Sequence, residues 1–522
     1  MIWHIFKKDW KLLWLFVVAI ASLHWIAALV AFKLGLFGED ATLEMLSHWV
    51  PEIAMYGSAF LIAAIVHLEA IPGTRQDWLI RPIPRGSLLV EKFLFAVIMV
   101  EGPMFVATLF RGLANGFSWR LCLLTTTSYV LFLLFFLVLP VFAFASVTKN
   151  MTEAFIFWCG STFIVGAFLV LAGSMNGAAN GTLLGALHTG VGWIAEVFRF
   201  ALIAIAAVTV VALQYFRRKT AVARFWLVVF GVLLMLSAFV PWRPAFAIEE
   251  RLSPKPGAGA NTTVALDQSL GRFKSPSGLL ASAENDRPRY GHNATDIFLP
   301  LQIAGVRNDA ILLVDQADVY LIDQKQREFY HGIGEEFEVA REGPKPQEAA
   351  VYQQIAFPMS IYRGAKDQAV QVRVDYSLTL FGLGRSYSIA ALDGDVRMPG
   401  WGWCKTKMDD AGANVELRCM EPGKGPICGT AFLENGSSGV RNPSRSFCLS
   451  EYRPFQDKPW PDNFAHLGVN LPFRDASGLA KFPVDGPQLP KSRVVIRVYE
   501  PEDHFTRSLV TPLITLKDWE AQ

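Results

Sequence analysis

The sequence predicts an α-helical membrane domain of about seven spans, followed by a mainly-β, sandwich-like soluble domain. Two observations support this division. Only 18% of the 522 residues are charged, against about a quarter in soluble globular chains. The shortfall lies before Trp242, where apolar runs are long, and charged residues, proline and glycine return at ordinary density after it. We therefore assign residues 1–242 to the membrane, 243–290 to a linker and 291–522 to the soluble domain.

A helix that crosses a bilayer needs about 20 mostly apolar residues. Seven windows qualify, and the first reads as an anchor because it is too long for a cleaved signal peptide. The windows are residues 12–32, 50–68, 91–110, 121–147, 154–174, 197–216 and 224–242. The glycine-rich segment 174–193 contains no Asp, Glu, Lys or Arg. It is either a re-entrant hairpin that protein buries or a flexible loop.

Orientation follows from the basic residues of the short loops, because Lys and Arg concentrate on the cytoplasmic side. With a cytoplasmic N-terminus, 12 basic residues lie inside and three lie outside. The inside set is Lys7, Lys8, Lys11, Arg75, Arg81, Arg85, Lys92, Lys149, Arg217, Arg218, Lys219 and Arg224, and the outside set is Lys33, Arg111 and Arg120. Seven spans then place the C-terminal domain outside. In a bacterium this is a multi-pass inner-membrane protein with a periplasmic domain.

Four cysteines cluster in the soluble region. A compact group of four in an exported domain is typical of two disulfides, with three possible pairings. Zinc is disfavoured because the cluster has no Cys-x-x-Cys pair and no histidine, and free thiols are the other alternative. The four residues are Cys404, Cys419, Cys428 and Cys448. Disulfides need an oxidising compartment, in agreement with an outer location.

Short alternating segments separated by turn signals follow the linker, a pattern typical of an antiparallel β-sandwich. A short helix is predicted near 351–363. The predicted strands are 262–268, 297–306, 310–323, 370–381, 387–392, 414–420, 446–452, 494–500 and 508–516.

No recognisable catalytic constellation occurs in the sequence. It lacks H-E-x-x-H, G-x-S-x-G and Walker A motifs, which are signatures of metalloproteases, serine hydrolases and nucleotide-binding loops. A net charge of +2 is too small to indicate a nucleic-acid partner. We therefore predict a protein that is not itself an enzyme and that holds no metal or cofactor of its own.

The loop between the second and third windows reads "GTRQDWLIRPIPRGSLLVEKFLF" (73–95). Two prolines stiffen an exposed corner, and an amphipathic basic stretch follows them. This string resembles the cytoplasmic loop of ABC-2 type permeases that contacts a separate ATPase. "IFKKDWKLLW" (5–14) resembles the family's elbow helix, and 174–193 stands where the family has re-entrant helices. The seventh span and the large outer domain depart from the simplest family members.

The resemblance implies a permease subunit that forms a homodimer or heterodimer and couples through loop 73–92 to a cytosolic ATPase, which would bind ATP and Mg²⁺. Seven residues would face that ATPase: Arg75, Trp78, Arg81, Pro82, Pro84, Arg85 and Lys92. A non-transporting sensor or anchor, whose outer domain binds a ligand or envelope protein, is the alternative. An intramembrane or periplasmic enzyme is a third hypothesis.

Ionisable residues inside a membrane are functional candidates by default. Glu101 lies deep in the third window, and we expect it either to line a translocation path or to pair with a hydroxyl of 125–128. His67 and Glu69, at the end of the second window, are expected to pair with Arg75 or Lys92 and so to set the geometry of the loop.

Overall fold

The computed structural model describes residues 2–36, 41–68, 84–157, 159–160, 163, 192–236, 242–271, 273, 294–335, 337–341, 351–398, 401–421, 427–449, 465–474 and 482–520. Most of the N-terminal part of these ranges is helical. The helices are α1 (Ile2–Leu34), α2 (Ala41–His67), α3 (Arg85–Ala96), α4 (Gly102–Ala114), α5 (Trp119–Leu133), α6 (Leu139–Val147), α7 (Gly192–Tyr215), α8 (Thr220–Leu236) and α9 (Trp242–Arg251).

The described part of the chain contains five rods that are long and apolar enough to cross a membrane, so the membrane character of this half is confirmed. They are Ile2–Leu34, Ala41–His67, Gly86–Ala114, Trp119–Val147 and Val197–Tyr215. Helix α8 is also apolar but has only 17 residues. The predicted window 154–174 and the segment 174–193 lie mostly outside the described residues.

Two of these rods contain one wide π-helical turn each. The segment Val97–Glu101 joins α3 to α4, and Leu134–Val138 joins α5 to α6. A proline follows closely in both cases, Pro103 in α4 and Pro140 in α6. Proline lacks an N–H and its ring clashes with the carbonyl four residues earlier. A π turn widens the helix there, and such turns are frequent at functional sites.

The helix bundle has one main apolar core between α1, α2, the α3–α4 rod and the α5–α6 rod. Close approach of α1 to α2 uses a small residue, since a Cβ on Gly57 would lie 3.3 Å from Ile20 Cγ1. Small residues of this kind let membrane helices pack closely. Fully buried members of the core include Leu61, Ile62, Ile65, Phe95, Leu133 and Val138.

The C-terminal region is mainly β, as predicted. Its strands are β1 (Thr263–Leu266), β2 (Ala294–Ala304), β3 (Ala310–Ile322), β4 (Glu328–Gly334), β5 (Glu338–Arg341), β6 (Val351–Pro358), β7 (Ala369–Ala390), β8 (Asp395–Arg397), β9 (Trp403–Met408), β10 (Asn414–Glu421), β11 (Ile427–Asn435), β12 (Arg445–Leu449), β13 (Ala465–Pro472), β14 (Ser492–Val510) and β15 (Ile514–Thr515). A short helix, α10 (Met359–Ala365), follows β6.

The largest sheet in the described part of this domain has eight strands. Six of them follow the order β12-β11-β14-β7-β3-β4, and in addition β5 pairs with β3 and β15 pairs with β7. The sheet β1-β2-β6 shares one apolar core with β3, β7 and β14. The sheet β13-β10-β9-β8 shares a second core with β7, β11 and β14. Face-to-face packing of alternating strands explains both cores. The domain is therefore two sandwich lobes that share one long sheet.

The long strands differ from the predicted short ones. Segments 370–381 and 387–392 merge into β7, and 494–500 joins the first three residues of 508–516 in β14, while 514–515 form β15. The two strands pair along almost their whole length, with register shifts at Val498/Tyr499 and Pro501/Asp503. These bulges absorb the irregular residues that look like turns in the sequence.

Two further segments also differ from prediction. The predicted linker 243–290 begins with helix α9, which the sequence reading missed, and its predicted strand is realised as β1. The helix predicted near 351–363 is a strand, β6, followed by α10.

The β domain docks on one end of the helix bundle. The backbone N–H of Trp403 donates to the carbonyl of Asn115 at 3.0 Å, and Arg418 Nη1 donates to the carbonyl of Leu36 at 3.0 Å. Gly116 has φ +82°, and a Cβ there would lie 2.7 Å from the Trp403 indole nitrogen. The apolar contact consists of Leu36, Phe117, Cys122 and Met420. The domain thus lies where α1 ends and α4 turns into α5, at the end opposite the N-terminus.

Candidate functional sites

The predicted ATPase-contact loop lies only partly within the described residues. Glu69, Arg75, Trp78, Arg81 and Pro82 fall outside them. Pro84 directly precedes α3, and Arg85 is the first residue of that helix. A proline suits the start of a helix because its missing N–H would have no intrahelical partner there. The end of α2 and the start of α3, which flank residues 69–83, lie at the end of the bundle that carries the N-terminus.

The structure places Lys92 inside the bundle and not on an outward surface. Its side chain is 1% exposed, and its Nζ lies 2.5 Å from Asp9 Oδ2 and 3.7 Å from Glu91 Oε2. Asp9, on α1, is fully buried. Since α3 begins at Arg85, Lys92 stands two turns into the helix and reaches α1. The expectation that Lys92 faces a partner subunit is therefore corrected.

His67 also has partners other than those predicted. Its Nε2 lies 2.9 Å from Thr148 Oγ1 and its Nδ1 lies 3.1 Å from Met151 Sδ. These contacts join the end of α2 to the chain just beyond α6. The predicted pairing with Lys92 is absent, because Lys92 binds Asp9. His67 therefore holds the end of α2 against the residues that follow α6.

A second polar contact lies at the same end of the bundle, and the sequence reading did not single it out. Arg224 of α8 donates to the carbonyl of Val147 at 2.8 Å and to Glu153 Oε1 at 2.6 Å. Glu153 Oε2 accepts from the Lys149 backbone N–H at 2.6 Å. The ion pair is about 40% exposed on the arginine side, so it contributes little stability. It does fix α8 against α6.

Glu101 carries a deeply buried carboxyl group of the helix bundle. It closes the π segment, is 2% exposed, and neither carboxyl oxygen has a hydrogen-bond partner among the described residues. The hydroxyls of Thr125 and Thr126 are buried and likewise lack a hydrogen bond. The predicted alternative, a hydroxyl of 125–128 paired with Glu101, is thus not realised.

Both disulfides predicted from the cysteine cluster are present. Cys404 pairs with Cys419 across β9 and β10, with an S–S distance of 2.14 Å. Cys428 pairs with Cys448 across β11 and β12, at 2.01 Å. Each pair occupies directly opposed positions on neighbouring antiparallel strands, where Cβ atoms approach closely. Strand register therefore selects one of the three pairings.

Helix α9 is fixed to the long sheet by a polar cluster. Arg243 donates to the Tyr320 hydroxyl and lies 3.4 Å from Asp318 and 3.5 Å from Asp375. The Tyr320 ring stacks on His331 at 4.5 Å. Arg243 is 64% exposed, so these ion pairs orient the helix more than they stabilise it. They set how the chain leaves the last helix of the bundle and enters the β domain.

A hydrogen-bonded chain crosses three buried strands of the same sheet. Thr379 Oγ1 donates to Asp315 Oδ2 at 2.5 Å and lies 2.8 Å from His504 Nδ1. Because the threonine proton goes to Asp315, His504 must donate through Nδ1, which fixes its neutral tautomer. Burial lowers the pKa of His504 to about 4, although nearby Asp503 raises it.

This lowered pKa predicts acid sensitivity of the β domain. In the unfolded chain a histidine binds a proton below about pH 6.5, whereas folded His504 stays neutral until about pH 4. The unfolded state therefore binds more protons in that window, so stability is present above it and is lost as pH falls. Between about pH 7 and about pH 5 we expect a loss of about 2 kcal/mol.

Hydrogen exchange of β14 peptides in the full-length protein at the two pH values measures this loss, after correction for the intrinsic pH dependence of exchange. His504→Asn keeps a donor near the Nδ1 position and has no proton to gain, so its protection should change less. Equal changes in both proteins would contradict the assignment.

Among the described residues, no group of three or more His, Cys, Asp or Glu side chains is placed to hold a metal ion. Comparison of the chain with protein-family models and with curated proteins found no match.

Proposed function

We propose that the chain is the membrane subunit of an ATP-driven transporter of the ABC-2 type, coupled to a separate cytosolic ATPase through loop 73–92. The observation that carries the proposal is the separation of two surfaces. The basic, proline-rich stretch of the sequence joins Leu68 to Pro84, and these two flanking residues lie at one end of the bundle. The disulfide-bonded β domain docks at the other end. A transporter needs an energy-coupling surface and an outer surface on opposite sides of the bilayer.

The packing of the helices supports seven crossings in this proposal. Val147, at the end of α6, packs with Val210 of α7 and Ala223 of α8. Because α7 ends and α8 begins at that level, α7 starts toward the opposite end of the bundle. The proposal therefore assigns one crossing to the predicted window 154–174, between α6 and α7, and a last crossing to α8, which gives seven. With the basic loops in the cytoplasm, the β domain is periplasmic, where its disulfides can form.

Co-purification tests the coupling role of the loop. In mild detergent the native chain should retain a Walker-A ATPase, and Arg81→Glu/Arg85→Glu should lose it, because the reversed charges repel the contact surface. Arg217→Glu/Lys219→Glu is a matched control, since both residues are exposed at the α7–α8 turn on the same end of the bundle.

Loss of the ATPase from the loop variant alone would support the proposal. A folded native chain that retains no ATPase would contradict it and would favour a non-transporting sensor or anchor. An ATPase lost equally from both variants would indicate a general charge effect and not a specific loop contact.

A further inference from the structure

A line of buried ionisable side chains runs along the seam between α1, α2 and the α3–α4 rod. Its members are Asp9, Glu91, Lys92, Glu101 and His24, all between 0% and 7% exposed. Lys92 and Glu101 are nine residues apart in one continuous rod, which is about 13 Å. Asp9 and His24 are fifteen residues apart in α1, about 22 Å. The line therefore covers most of a hydrocarbon core about 30 Å thick.

Two contacts establish the order of these groups along the seam. Asp9 meets Lys92 near the N-terminal end, and the rings of Trp25 and Phe110 lie 5.4 Å apart further along. Helix α1 and the α3–α4 rod thus run side by side in the same direction. Glu101 lies between the two contacts, and its π segment packs against both α1 and α2. It stands between the Asp9 group and His24.

Glu101 is the group whose presence the packing does not explain. A carboxyl group buried without a hydrogen bond is costly in hydrocarbon, and within the described part of the chain Glu101 has no such bond to offset the cost. An apolar side chain would fill the same volume without it. Unlike an apolar side chain, the carboxyl group can bind and release a proton. The adjacent π turn is the kind of local irregularity found at functional sites.

His24 provides the next proton-accepting atom. Ser58 Oγ donates to the carbonyl of Ala54 at 2.9 Å, so His24 Nε2, at 3.1 Å from the same oxygen, donates to it. The neutral imidazole then presents Nδ1 as a proton acceptor. Other buried or partly buried ionisable side chains on the elements packed around the rod include Glu52 and His67 of α2, Cys122 and Tyr129 of α5, and Tyr215 of α7.

We propose that this seam conducts protons, with Glu101 as the central proton-binding group. A proton leaves the Glu101 carboxyl group and binds His24 Nδ1, which leaves a carboxylate and an imidazolium. A proton that enters past Asp9, Glu91 and Lys92 restores the carboxyl group, and His24 releases its proton toward the β-domain end. The axial separations exceed one hydrogen bond, so the proposed path requires water molecules between the successive groups. The inference does not depend on an ATPase partner.

Proton flux in liposomes tests this inference on the full-length chain. A potassium gradient with valinomycin imposes a membrane potential, and an internal dye reports pH. Native protein should acidify the lumen faster than protein-free liposomes, and Glu101→Gln should return the rate to the protein-free value. Glu44→Gln is the control, because Glu44 is exposed in the first turn of α2 and should behave as native. A native rate equal to the protein-free rate, or a Glu101→Gln rate equal to the native rate, overturns the proposal.

A second measurement uses the native chain, so it is independent of the folding of any variant. A hydrophobic carbodiimide reacts with protonated carboxyl groups in apolar surroundings. We expect an adduct on Glu101 by mass spectrometry and loss of the flux. An unmodified Glu101, or an adduct with unchanged flux, overturns the proposal.

Discussion

Replacement of Lys92 by methionine is expected to destabilise the helix bundle by about 3–5 kcal/mol, the usual cost of removing one partner of a buried ion pair. Lys92 is 1% exposed and its Nζ lies 2.5 Å from Asp9 Oδ2. Without the ammonium group the Asp9 carboxylate would remain buried, and Glu91 would lose the cation that stands 3.7 Å away. Thermal unfolding of the purified protein in detergent, with hydrogen exchange of α1 and α3 peptides, measures the effect.

The double variant Asp9→Leu/Lys92→Met is the informative control. Removal of both charges leaves neither Asp9 nor Lys92 as an unpaired charge, and apolar replacements of buried pairs are often neutral. We therefore expect the double variant to recover much of the stability lost by Lys92→Met. A double variant that is as unstable as the sum of the two single variants would show that the two side chains do not interact.

In the membrane half, the position of Lys92 is a feature that the sequence alone did not predict. Apolar windows are visible because each span must be apolar over its own length, and the described rods coincide with the predicted windows. A basic residue near a loop is assigned to that loop by composition. Whether it instead turns inward depends on Asp9, 83 residues earlier. The partner becomes visible only when α1 and α3 are placed side by side.

In the β half, the alternation of apolar and polar residues predicted where strands lie. It did not predict how long the strands are or which strands pair. Gly382, Gly384 and Arg385 resemble a turn in the sequence, yet β7 continues through them because β14 pairs alongside. The cysteine cluster predicted two disulfides and left the pairing open, since pairing depends on register. The hydrogen bond from Trp403 to Asn115 joins residues that are 288 positions apart. No local sequence pattern predicts such a contact.

Removal of the Cys404–Cys419 disulfide is expected to lower the free energy of unfolding of the β domain by about 3 kcal/mol, the value typical of a cross-link that closes a loop of this size. The two cysteines are 15 residues apart and both are fully buried. They join β9 to β10, and the neighbouring residues Trp403 and Met420 contact the helix bundle. The loss should therefore reach the junction between the two domains.

Cys404→Ala/Cys419→Ala in the full-length protein makes this measurable by hydrogen exchange. Peptides from β9, β10 and the α4–α5 turn should lose protection together, because the turn accepts a hydrogen bond from Trp403. Cys159→Ala is the matched control, since Cys159 is a free, exposed cysteine and its loss should leave exchange unchanged. If the β9 and β10 peptides lost protection while the turn kept its own, the disulfide would stabilise the sheet alone. In that case the docking of the β domain would rest on Arg418 and the Leu36 cluster, and the β domain would be free to loosen without disturbing the membrane helices.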